Sequence, residues 1–268
     1  EILSGLVGSE MCIRDSHTRA PWWLTPVCAL IVLFLVAPTL VVIPMSFSDS
    51  RFLTFPPTNW SFRWYLEYFQ SQEWRAATWV SLRAAVGTTL LATPLGLAAA
   101  YAAARVTAGH ARWLRIVFLL PMALPVILCG VGVFLLYAKL GLNNTLLGLV
   151  LAHTCLALPL VFITVSAAFS SFDFSQEMAA RSLGAHPLRA FRDVTLPQIR
   201  FSVVAAAILA FITSLDEVVV ALFIAGGPSA TLTKRMFNSL RDEVDPAIAA
   251  ISTPVSYTHL RAHETRED

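Results

Sequence analysis

Five stretches of this sequence, roughly 24–46, 79–104, 115–138, 146–169 and 201–225, are apolar over lengths that a water-soluble fold seldom uses. A hydrocarbon core about 30 Å thick is crossed by about 20 helical residues. Backbone polar groups in lipid must be satisfied within the segment, so each stretch is predicted to be a helix. The fold class is therefore all-α integral membrane. The composition agrees: 13% of the 268 residues are charged, where a soluble domain averages about a quarter. Pro38, Pro94, Pro121, Pro125 and Pro159 fall inside the spans, where neighbouring helices or water can re-satisfy the freed groups. Small-residue runs such as Gly96–Ala100 and Gly130–Gly132 are expected to be close helix contacts.

The two ends read differently. Residues 6–16, LVGSEMCIRDS, and 255–265, VSYTHLRAHET, resemble the two strand translations of one short sequencing-library adapter. We therefore set aside 1–16 and 255–268 as adapter-like and take 17–254 as the transmembrane domain. An apolar run at Ala247–Ile251 stops where the adapter-like text begins, so a sixth span is expected to be truncated.

Orientation rests on the tight loop 105–115, with Arg105, Arg112, Arg115 and no acid. Basic short loops stay cytoplasmic, which places the N-terminus inside. The segment Trp60–Trp79, rich in Trp, Tyr and Phe, then reads as an outer aromatic belt. Arg83 is expected to snorkel.

The polar connection 173–197, DFSQEMAARSLGAHPLRAFRDVTLP, carries its own helix signals. Asp173 with Gln176 suggests a capping box, and 176–183 is made of good helix formers. Gly184 suits the left-handed residue that ends a helix, and Pro187 the first turn of a second one. Leu188, Phe191 and Val194 continue that helix, and Pro197 is expected to stop it before the span starting at Phe201. The unit reads as helix, Gly turn, helix. Ala180 and Gly184 share a smooth face. The alternatives are a docking element for a soluble partner or an amphipathic linker on the membrane surface.

This connection resembles the EAA loop of ABC importer permeases. Ala179, Ala180, Gly184, Leu196 and Pro197 match that pattern in type and spacing, while Met178 stands where the family has glutamate and Glu177 lies one place earlier. One helical residue turns a side chain by about 100°, so Glu177 is not expected to make the family's glutamate contact. The resemblance covers nearly all of 24–253 and is closest to spermidine/putrescine-type permeases. It includes Phe62-Arg63-Trp64-Tyr65, His153 with Pro159, and Ser214–Val220. It implies a type I ABC importer transmembrane domain of six helices, here with five spans and a truncated sixth, in the bacterial inner membrane. It also implies cytoplasmic ATP-binding subunits coupling through Glu177, Met178, Ala179, Ala180, Gly184, Leu196 and Pro197. A second permease subunit and an extracytoplasmic substrate-binding protein complete the set. Specificity then lies largely with the binding protein.

Asp216 and Glu217 are adjacent carboxylates in an apolar stretch. Ionisable groups at membrane depth are costly and usually line a cavity or meet a partner. Either one faces a pathway for a cationic substrate, or both serve as structural salt bridges or caps. Their directions differ by about 100°, so both are not expected in one cavity. His153 is read either as a buried histidine bonded to a backbone carbonyl or as a pathway residue.

The sequence holds no G-x-x-x-x-G-K-[ST] phosphate loop, so ATP hydrolysis is expected from another subunit rather than from an enzyme site here. No Cys/His pair has ligand spacing, and neither metal nor cofactor is expected. The basic excess is modest and lacks the dense stripe that nucleic acid requires. Three alternatives stay open: an importer of the same class for another solute, such as ferric iron or an amino-acid derivative; an ion-coupled secondary transporter, which should show internal repeats; and a non-transporting membrane scaffold or sensor.

Overall fold

The computed structural model describes residues 23–50, 55–57 and 59–242. The adapter-like ends and the start of the expected sixth span at 247–251 lie outside these residues. Apart from one isolated bridge between Ser48 and Trp60, the described residues are helical or irregular.

Helix α1 (Leu24–Met45) matches the first span and carries no buried residue. A short α2 (Arg63–Gln70) precedes α3 (Gln72–Arg105), which contains the second span. Ser71 Oγ caps α3 by accepting from Trp74 N at 3.4 Å. The third span is not one straight helix. It divides into α4 (Ala108–Ala123) and α5 (Val126–Leu140), bent by 97° at the break. Pro125 explains the division: the residue before a proline is driven out of the helical region, and Leu124 is extended at φ −90°, ψ 138°. Helix α6 (Leu146–Ser170) reproduces the fourth span, with Thr145 Oγ1 accepting from Gly148 N at 3.0 Å.

The loop forms the predicted helix–Gly–helix unit, α7 (Ser175–Ser182) and α8 (Pro187–Ala190). Gly184 has φ +93°. Its N–H donates to Arg181 O, and Ala185 N–H donates to Ala180 O, the paired bonds of a left-handed helix stop. Two expectations fail here. Asp173 does not form a reciprocal box with Gln176; its carboxylate accepts from Ser175 N and Ser175 Oγ at 2.9 and 2.6 Å. Nor does Pro197 stop a helix. The chain runs from α8 through a π turn (Phe191–Thr195) into α9 (Leu196–Asp216), a continuous helix over Pro187–Asp216. A proline lacks its N–H and clashes with the carbonyl four residues back; the wider π turn just before it accommodates both.

The fifth span also divides. Helix α9 ends at Asp216, Glu217 is extended at φ −66°, ψ 112°, and α10 (Val219–Ile224) follows. A 3-10 turn at Gly227–Ser229 leads to the polar α11 (Leu232–Asp242).

The core is the trio α3, α6 and α9, joined by Ala92, Ala99, Ala100, Ala157, Val161, Val165, Ala206 and Ala210. A Cβ on Gly96 would fall 2.5 Å from Val161 Cγ1, so α3 and α6 touch backbone to side chain as the small-residue run suggested. Gly130 is filled in the same way by Phe223, whereas Gly132 faces open space. The bundle has two distinct ends. Arg105, Phe169, Glu177 and Phe191 meet at one, and the 105–115 connection lies there too. At the other, Glu73 pairs with Arg235 and Asn144 N–H donates to Ile224 O at 2.8 Å. The aromatic segment sits at this second end, with Phe47 packed on Phe62 and Tyr65. Trp64 and Trp74 are buried, whereas Trp60, Phe62, Phe69 and Trp79 are exposed. Arg83 lies exposed along α3, its Nε donating to Trp79 O.

Candidate functional site

The structure places the predicted residues at two sites, with His153 and Asp216 outside both. The first is the loop at the 105–115 end. Helix α7 shows one face outward: Met178 is 54% exposed and Ala179 is exposed. Met178, Arg181, Ser182, Ala185 and Pro187 line an open groove beside Gly184. Leu183 and Leu188, 90% and 71% exposed, flank it. Leu196 and Pro197 lie farther on, at the start of α9.

The opposite face of α7 is turned inward. Glu177 is fully buried. Its Oε1 accepts from the Tyr101 hydroxyl at 2.7 Å and lies 3.3 Å from Arg105 Nη2; its Oε2 accepts from Thr195 Oγ1 at 2.8 Å. A carboxylate held on both oxygens is what a buried charge requires. Glu177 and Met178 thus divide the labour that adjacency on a helix allows, one facing in and one facing out.

The second site lies where two helices break. Pro121, Met122, Leu124 and Val126 at the α4–α5 bend, Leu156, Pro159 and Leu160 of α6, and Glu217 surround a cavity of about 200 Å³. Irregular backbone at membrane depth is tolerated where it lines a cavity, and both breaks do so. Glu217 is the one ionisable side chain among those lining it. Its Oε1 accepts from Val220 N at 2.8 Å, capping α10, and its carbonyl accepts from Thr233 Oγ1 at 3.1 Å. Asp216 is exposed and does not line the cavity.

His153 belongs to neither site. It is buried in the core trio, with Nδ1 2.8 Å from Ser214 Oγ, and Ser214 Oγ in turn donates to Thr88 Oγ1 at 3.4 Å. The partner is a hydroxyl rather than the backbone carbonyl expected.

Sequence reasoning missed the residues that hold Glu177. Tyr101 and Arg105 were hidden in an alanine-rich span end, although their four-residue spacing puts both on one face. Thr195 had no signal, because the π turn that places it is not legible in residue types. Among the described residues, no three His, Cys, Asp or Glu side chains gather as metal ligands would.

Comparison with known proteins agrees with this architecture. The family described as "Binding-protein-dependent transport system inner membrane component" matches residues 92–256. The putrescine transport system permease protein PotI of Escherichia coli (strain K12) is 32% identical over 244 residues, 88% of this chain and 85% of that protein. The spermidine/putrescine transport system permease protein PotC of the same strain is 28% identical over 223 residues, 82% of this chain and 83% of that protein. Among solved structures, a bacterial ABC transporter involved in the import of the acidic polysaccharide alginate has a chain that superposes with a TM-score of 0.72 at 15% identity. That superposition covers 91% of this chain and 93% of the other.

Proposed function

The chain belongs to the family of binding-protein-dependent transport inner-membrane components, and on that premise we propose that it conducts a small organic dication of the putrescine class across the inner membrane. It is an ABC importer permease of the type I fold, and we assign it three kinds of partner. Cytoplasmic ATPase subunits cover the groove at Met178, Arg181 and Pro187 with flanking Leu183 and Leu188. A second permease subunit completes the pathway, and a substrate-binding protein engages the opposite end.

The observation that carries the substrate reading is the carboxylate of Glu217 in an otherwise apolar cavity between two helix breaks. A carboxylate in low dielectric favours a cation, and drug-sized ligands take roughly 300–1,000 Å³, so this cavity suits a smaller guest. The named relatives PotI and PotC support the same class. ATP-driven closure of the ATPases would bias the permease between two states, outward- and inward-facing, through differential contacts at the loop.

The test is purification of the complex with its ATPase subunits and binding protein, followed by ATPase assay. The proposal expects hydrolysis to rise with putrescine- or spermidine-loaded binding protein and not with an uncharged sugar. Equal stimulation by all of them would overturn the dication assignment.

A further inference from the structure

Glu177 lies where three separate pieces of chain meet: α3 through Tyr101 and Arg105, the loop through α7, and the π turn leading into α9 through Thr195. Aromatic rings close this junction off. Tyr101 packs on Phe169, Phe174 and Phe191 with centroids at 5.8, 6.3 and 4.9 Å. The Arg105 guanidinium lies over the rings of Tyr101 and Phe174 at 5.6 and 5.2 Å. Charge-assisted hydrogen bonds are stronger and more directional than neutral ones, and removing water strengthens them further.

The two ends held here belong to the longest helices of the bundle. Helix α3 has 34 residues and the helix through α9 has 30, and both pack on α6 in the core. Met178, the next residue along, faces the outer groove. A push on the groove therefore acts on a helix whose one buried carboxylate reaches both long helices, with an exposed bond from Gln198 Nε2 to Gln176 Oε1 at 2.8 Å as a further tie to α9.

We propose that Glu177 is a positioning residue for energy coupling: it makes the loop, the end of α3 and the π turn of α9 move as one body, so that a displacement imposed at the groove reaches the transport cavity. Glu177 does this without touching the ATPase. The inference rests on the reading of 173–197 as the ATPase-docking surface. The π turn is where the loop joins α9, and π turns are local departures that recur at functional places in helices. Thr195 fastens that turn to Glu177, so α9 cannot slide relative to α7 without breaking the bond.

The experiment measures substrate imported per ATP hydrolysed in proteoliposomes holding the whole complex, with binding protein and putrescine. E177Q keeps the size of the side chain and its acceptor oxygen but removes the charge. The ATPase subunits should still co-purify with E177Q, while import per ATP falls about tenfold, within the range of ordinary coupling free energies. An unchanged ratio overturns the proposal, whether both rates stay or both fall together. Detachment of the ATPases also overturns it, because Glu177 would then only shape the docking face. If E177Q fails to accumulate, Y101F and T195V decide. Each removes one bond from outside α7, and each should lower the ratio about twofold to threefold; an unchanged ratio in both overturns the proposal. Failure of the wild-type chain to hold ATPase subunits would sink the docking reading itself, and it is seen before any variant is made.

Discussion

Glu217 Oε1 accepts a hydrogen bond from Val220 N at 2.8 Å, and this bond marks where the fifth span stops being one helix. The carboxylate caps α10 and also lines the cavity. E217Q keeps the cap and removes the charge. It should raise the apparent KM for putrescine about tenfold, the size of a lost charge contact of about 1.4 kcal/mol, with the complex still assembled. D216N, outside the cavity, should change KM far less. Uptake kinetics at varied putrescine check both; equal effects would remove Glu217 from the pathway.

Gly184 is in the left-handed region at φ +93°, and nothing lies within 4 Å of an added Cβ. An L-residue there costs about 1–2 kcal/mol through the backbone alone. G184A should therefore weaken ATPase docking modestly, whereas G184W should abolish it by filling the face beside the groove. Co-purification of ATPase subunits distinguishes them; equal losses would mean that only the turn matters.

The α3–α6 contact at Gly96 and Val161 leaves no room for a methyl group. G96A should destabilise the protein by about 1–3 kcal/mol, as overpacking does. Adding V161A should recover part of that loss. G132A, facing open space, should be neutral. Thermal unfolding in detergent measures all three.

Ser214 is the hydrogen-bond partner of His153 Nδ1 inside the core trio. S214A should cost about 0.6–2 kcal/mol, typical of interhelical bonds in membranes. H153F should also lower the unfolding temperature while leaving the apparent KM unchanged. A shift in KM would return His153 to the pathway.

Asp173 is held below the ordinary carboxylate value by the Ser175 hydroxyl and then by the Ser175 N–H. Its folded pKa is depressed, so its stabilising effect is present above the unfolded value near about 4 and is lost as pH falls through the folded value. Protection of the amides in the first turn of α7, taken relative to the unfolded chain at the same pH, should be constant between neutral pH and mildly acidic pH. D173N should exchange faster at neutral pH, where the wild-type carboxylate is ionised.

The spans and the loop were legible because they depend on local chemistry. Apolar length gave α1 and α6 to within a residue of their observed bounds and α3 at its end, whereas α3 starts at Gln72, before the apolar stretch. Gly184 and Pro187 marked a stop and a start that need only a positive φ and a fixed one. What was not legible depends on tertiary accommodation. Pro197 reads as a helix breaker, yet the π turn before it lets the helix continue. Pro121 and Pro159 read as tolerated kinks, but together with the Glu217 break they outline a cavity. The inward role of Glu177 needed Tyr101 and Thr195, 76 and 18 residues away in sequence, to be brought against it.

The most direct test of the central claim is uptake of labelled putrescine into proteoliposomes containing this chain, its partner permease and its ATPase subunits, with binding protein on the outside. The account predicts uptake that requires ATP inside the vesicle and ceases when the ATPase subunits cannot hydrolyse it. Uptake that persists without hydrolysis and follows an ion gradient would contradict it.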